Sequence, residues 1–129
     1  FKSLLNQALI ACQWDADRPG FLSAEDLQNL PVVPLQQDFA TVAMLGLAHC
    51  ERNGHHYNYG LAMLSEKDKA NAVTNHPDLY VLHGDEWFLN IRDGAVSCAS
   101  LQIPGFGVRD EPDWASMTDM RAWVDERYP

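Results

Sequence analysis

An α+β fold is predicted for residues 1–129, read as a single domain. It has a helical N-terminal half, a three-stranded antiparallel meander and a C-terminal helix. Three observations carry that reading. Apolar residues recur at helical spacing through the first half. After Pro77 the pattern changes to short β-rich runs punctuated by Gly-Asp and Asp-Gly pairs. A chain of 129 residues with 47% hydrophobic and 21% charged residues can bury an ordinary core without staples.

The first helix follows from Leu5, Ala8, Leu9 and Cys12, which share one face at i, i+3, i+4 and i+7. It should end near Trp14, before the turn-rich run 15–20. Ser23 with Asp26 resembles a capping box and predicts a short helix. Pro31 and Pro34 close it. A longer, nearly all-apolar helix is then expected from about Leu35 to Arg52, stopped by Asn53-Gly54. Residues 55–64 have no clear period. Ser65 with Asp68 predicts a capped helix to about Thr74, closed by His76-Pro77.

Strands are expected over 79–83, 87–92 and 95–101. Asp93-Gly94 is a two-residue hairpin turn, which sets Ile91 opposite Val96 and Leu89 opposite Cys98. A second turn at Gly84-Asp85 sets Leu82 opposite Trp87 and Tyr80 opposite Leu89. One face then carries Tyr80, Leu82, Trp87, Leu89, Ile91, Val96 and Cys98, as a core face should. Ser116 and Asp119 cap a last helix striped with Met117, Met120, Val124 and Tyr128.

Nine bases against eighteen acids leave a net charge of −9. That balance argues against nucleic-acid binding and against anionic membrane surfaces. The excess is concentrated late. Between Asp110 and Glu126 stand Asp110, Glu111, Asp113, Asp119, Asp125 and Glu126, with Arg121 the one base. A solubilising face is the plain interpretation; docking of a basic partner is the sharper one. Cys12, Cys50 and Cys98 are too few and too scattered for a disulfide framework, so a cytoplasmic setting is expected. The most apolar window, 39–50, is too short to span a bilayer.

Four stretches could carry chemistry. From Asp15 to Asp26 the chain resembles an EF-hand calcium loop, with Asp15, Asp17, Gly20, Leu22, Ser23 and Asp26 at positions 1, 3, 6, 8, 9 and 12. It departs from that pattern at Pro19, which offers no side-chain oxygen, and at Asp26, which is shorter than the usual bidentate Glu. No second hand follows, so the expectation is a plain turn without calcium. His49, Cys50, His55 and His56 form a cluster of imidazole and thiol groups. His49, His55 and His56 are the candidate ligands for zinc or another divalent metal, with His76 and His83 as possible additions. Asp85-Glu86 falls at a hairpin tip, where acids are normally solvated, and His83 stands near Asp85. No G-x-S-x-G, H-E-x-x-H or phosphate-binding loop is present.

The fourth stretch is the connection 102–115, long for a compact domain. Pro104-Gly105-Phe106-Gly107 sets an aromatic between glycines, ahead of Asp110, Glu111 and Asp113. Phe106 and Trp114 either plug the core or present an anchor within an acidic rim. The expectation is therefore a small, non-enzymatic, acidic binding domain of inhibitor, immunity or adaptor type. Phe106, Asp110, Glu111 and Asp113 would hold a basic protein partner, and no cofactor is needed. The alternatives are a metal-dependent enzyme built on the histidines and a calcium-responsive module.

Overall fold

A computed structural model describes residues 1–15, 18–27, 31–52 and 58–128. Helix α1 (Lys2–Asp15) is followed by strand β1 (Ala24–Leu27), helix α2 (Val33–Met44) and strand β2 (Cys50–Arg52). Helix α3 (Glu66–Asn75) leads to β3 (Tyr80–His83), β4 (Glu86–Leu89), β5 (Ile91–Arg92) and β6 (Ala95–Val96). The chain closes with two short 3-10 turns and α4 (Met120–Arg127). The described class is mixed α+β, with the strands in separate pairs.

Helix α1 forms where its spacing predicts, but the expected buried face is not buried. Leu5 and Leu9 are more than half exposed, and Ala8 and Cys12 are open to solvent. Gln7 and Ile10 turn inward instead, toward Phe21, Leu22 and Leu47. An apolar stripe names a helix face; whether the body covers it depends on surfaces elsewhere in the chain.

The short helix expected after Ser23 is a strand. The Ser23 hydroxyl donates to Glu25 Oε1 at 3.1 Å, and Ala24 N–H donates to His49 O at 3.1 Å. Strand β1 then pairs in parallel with β2, setting Ala24 opposite Cys50 and Leu27 opposite Arg52. A tertiary partner overrides the local capping signal.

Helix α2 starts earlier and stops sooner than expected. Pro34 sits in its first turn, where a missing N–H costs nothing. Gly46 takes φ +67° just past the end. Its N–H donates to Ala43 O, and Leu47 N–H donates to Val42 O, the paired bonds of a Schellman stop. The apolar run continues past Gly46, so hydropathy hid the stop. Leu35, Gln36, Phe39 and Ala40 are its buried residues.

Helix α3 is capped as predicted, with Asp68 N–H donating to Ser65 Oγ at 3.2 Å. The hairpin registers also hold. Tyr80 pairs with Leu89, Leu82 with Trp87 and Ile91 with Val96. Asp93 and Gly94 both take positive φ, at 50° and 76°, as the turn requires.

The continuous three-stranded meander does not form. Asn90 interrupts its middle strand: its N–H donates to Leu79 O and its side-chain amide to Asp78 O. The last strand ends at Val96, because Ser97 Oγ donates to Asp78 Oδ2 at 2.7 Å and the chain turns into the 3-10 segment Ala99–Leu101. Cys98 therefore lies outside any ladder with Leu89. Of the expected core face, Tyr80 is buried, and Trp87, Leu89, Val96 and Cys98 pack against the core; Leu82 and Ile91 are exposed.

The core gathers Leu35, Phe39, Ala40, Leu61, Ala72, Leu79, Tyr80 and Leu101. At its edge, Glu86 is buried, contrary to a solvated hairpin tip. It pairs with Lys69 Nζ at 2.9 Å and accepts Trp87 N–H at 2.8 Å, tying β4 to α3. Helix α4 is capped by Asp119, whose Oδ1 accepts from Arg121 and Ala122 N–H. No residue of α4 is buried. No helix among the described residues is long and apolar enough to cross a membrane.

Candidate functional site

A groove of about 600 Å³ opens between the start of α2, one face of α3 and the connection after Leu101. Val32, Val33, Pro34, Leu64, Ala72, Val108 and Pro112 give it an apolar floor. Asp68, Asp110 and Glu111 line it with one opposing charge, Arg109. Trp114 and Met117 stand at its edge, 64% and 53% exposed.

Local chemistry explains why the connection holds this wall. Gly105, Phe106 and Gly107 take φ of 84°, 54° and 82° in succession. Gly107 is buried; a Cβ there would meet Leu101 Cδ2 at 2.8 Å and Gln36 O at 3.3 Å. Only glycine allows that approach and that φ together. Beyond it, Asp110 Oδ2 accepts from Asn75 Nδ2, and Asp113 N–H donates to the buried Asp68 Oδ1 at 2.9 Å. Trp114 Nε1–H donates to Glu111 Oε2 at 3.0 Å, which fixes the indole. The 3-10 turn Trp114–Ser116 is closed by Ser116 Oγ on Asp113 O at 2.8 Å.

Behind the wall lies a polar hub. His76 is 1% exposed, with Nδ1 3.0 Å from Ser100 Oγ. Burial pushes its pKa down, so it is neutral at neutral pH. Burial would raise the Asp78 carboxyl, but hydrogen bonds from Ser100 and Ser97 outweigh it and hold the group down at about 2. Serine, histidine and aspartate are the residue types of a nucleophile triad. Here the carboxylate accepts from the serines rather than from the imidazole, and the imidazole is shut off from solvent. The arrangement supports the loop; it does not expose a nucleophile.

The structure brings Asp110 and Glu111 together in the groove and ties Asp113 to its Asp68 wall. Phe106 is 56% exposed, so it does not plug the core, and neither does Trp114. Phe106 faces a neighbouring depression with Ala40, Met44, Leu101 and Ile103, and Gly105 lines both hollows. Asp68 and Met117 were not legible as site residues. Asp68 reads as a helix-capping acid, and nothing local announces that it receives a backbone N–H from 45 positions away.

Of the proposed metal ligands, His49 is exposed, with its ring edge-on to Phe21 at 6.5 Å. His55 and His56 lie outside the described residues. Among the described residues no group of three His, Cys, Asp or Glu could hold a metal ion. His83 is exposed and packs edge-on to Phe88. In the calcium-like stretch, Asp17 lies outside the described residues, and Asp26 falls within β1 rather than at a helix start. Cys50 and Cys98 are free, and burial raises both thiols; Cys12 is free and exposed. Comparison of the chain with family models, curated proteins and solved structures found no match.

Proposed function

We propose that the protein is a small, acidic, non-enzymatic binding domain, of inhibitor, immunity or adaptor type, that docks a basic protein partner. The observation that supports this most is the groove itself: an apolar floor, acids at Asp68, Asp110 and Glu111, and an indole locked in place at its mouth. Such a surface steers a cationic partner from a distance and anchors it at short range. Phe106, across Gly105, extends the contact patch, and Asp113 adds charge at the groove's end. Three free cysteines suit a cytoplasmic setting.

The test is affinity capture from native cells, with wild-type protein and an Asp110→Asn, Glu111→Gln, Asp113→Asn variant as baits. Basic proteins should be enriched on the wild type and released by salt, then lost from the variant. For a captured partner, association should slow several-fold with salt or with the triple substitution, while dissociation changes less. Phe106→Ala should chiefly speed dissociation. An association rate indifferent to salt would reduce the −9 charge to a solubilising role and end this reading.

A further inference from the structure

Helix α1 carries a second surface, unrelated to the groove. Phe1, Leu4, Leu5 and Leu9 are all at least 48% exposed, and Ala8 and Cys12 open onto the same stripe. A 14-residue helix is marginal in water on its own. Here the body covers little more than Gln7 and Ile10. The stripe also differs in charge from the rest of the chain. Between Ser3 and Trp14 there is no Asp, Glu, Lys or Arg, in a protein of net charge −9. Lys2 opens the helix and Asp15 closes it.

We propose that α1 is covered by α1 of a second copy, packed antiparallel about a two-fold axis near Ala8 and Leu9. Two observations select this occupant. A basic partner gains nothing electrostatically from an uncharged stripe. Two copies of an acidic protein, by contrast, meet with little repulsion through a helix that carries no acid between Ser3 and Trp14. The antiparallel direction is self-complementary. It brings the Lys2 end of one helix to the Asp15 end of the other and aligns opposite ends of the helix dipoles. In this register Leu5 lies opposite Cys12 of the second copy, and Ala8 opposite Leu9. The small side chains of Ala8 and Cys12 let the helices approach closely, with Leu9 packed at the axis and Leu4 on the flank. One helix pair is a small interface, so a weak, reversible dimer is expected, with a Kd on the order of 1–100 µM.

Sedimentation equilibrium of the whole chain under reducing conditions tests this, from about 1 to 500 µM, a range spanning the expected Kd. The average mass should climb from 14.5 kDa toward twice that value. The climb should steepen with salt, because screening relieves repulsion between like-charged copies. That sign is opposite to the one expected for a basic partner in the groove, so the two readings fail separately. Leu5→Glu and Leu9→Glu should each hold the protein at monomer mass, with a circular dichroism spectrum showing the body still folded. Leu5→Cys should give a disulfide to Cys12 of the other copy on mild oxidation. The wild type should not link Cys12 to Cys12, since these stand roughly 10 Å apart along the axis at 1.5 Å per residue. A chain that stays monomeric throughout would leave the stripe to a different protein and overturn the proposal. So would a dimer that survives both glutamates, or a Cys12–Cys12 link in the wild type.

Discussion

Leu5 in α1 and Leu79 before β3 are the same residue type, and both stand in apolar stretches that stand out in the sequence. Yet Leu79 is 0% exposed and Leu5 is 54% exposed. The same contrast separates the middle of the chain from its ends. Among the described residues, Val33 to Leu101 contributes every residue of the core, whereas α1 and α4 bury none. Apolar content is therefore not what distinguishes a core element from a terminal one here. The difference is a facing surface. In the middle, α2, α3 and the first hairpin close on one another; at the ends, each helix shows its stripe to solvent. In energetic terms the middle holds the fold, and α1 and α4 add little to it.

The strongest way to break that comparison is truncation of one leucine from each region. Leu79→Ala should cost about 2–5 kcal/mol, through lost burial plus a cavity, read from urea unfolding. Leu9→Ala, measured at low micromolar protein, should fall within about 0.5 kcal/mol. Equal losses would mean that α1 is part of the core after all. Next comes Gly107→Ala, which sets a Cβ against Leu101 at a positive φ; it should cost about 1–3 kcal/mol. Gly84→Ala, at a similar φ but with open space around it, should cost less, so the pair separates crowding from strain. Asp68→Ala should cost about 1–3 kcal/mol by leaving the Asp113 N–H without its acceptor, and should loosen the groove wall more than the core.

Acid supplies a smaller test, confined to the middle. His76 titrates lower in the folded chain than unfolded, so unfolded molecules bind the extra proton first. Stability should begin to fall as pH drops below about 6.5. Asp78 has its folded pKa depressed to about 2, so its contribution is complete above about 4 and is lost as pH falls through 2. With solvent screening that contribution is about 1 kcal/mol. His76→Gln should flatten the first slope and leave the second. The smallest effect is expected at the far end: Met120→Ser should shift stability by under about 0.5 kcal/mol.

The sequence disclosed those features of the fold that are written locally. Ser65 caps α3 and Asp93-Gly94 turns β5 into β6 because each acts on residues a few positions away. The hairpin registers follow from the turns by counting. What it concealed is non-local. Ser23 looks like a helix start, and β2 makes the following residues a strand. Asn90 looks like one polar strand position, and its bond to Asp78 divides a sheet. Glu86 looks solvated, and Lys69 from α3 meets it at the edge of the core. For the groove, Asp110 and Glu111 were legible as charge beside a glycine-rich loop. Asp68 was not, because its role exists only once α3 and the connection have met.

The parallel pairing of Ala24 with Cys50 also has a consequence for synthesis. A hairpin such as β3–β4 can close as soon as it emerges, in microseconds. Strand β1 cannot: its neighbour is made only after α2. At about 5–20 residues per second, β1 waits on the order of seconds with a bare edge. Its sequence is Ala-Glu-Asp-Leu, and two adjacent acids at its centre make it a poor template for a stray strand. The nascent chain thus carries its own protection through the interval before β2 arrives.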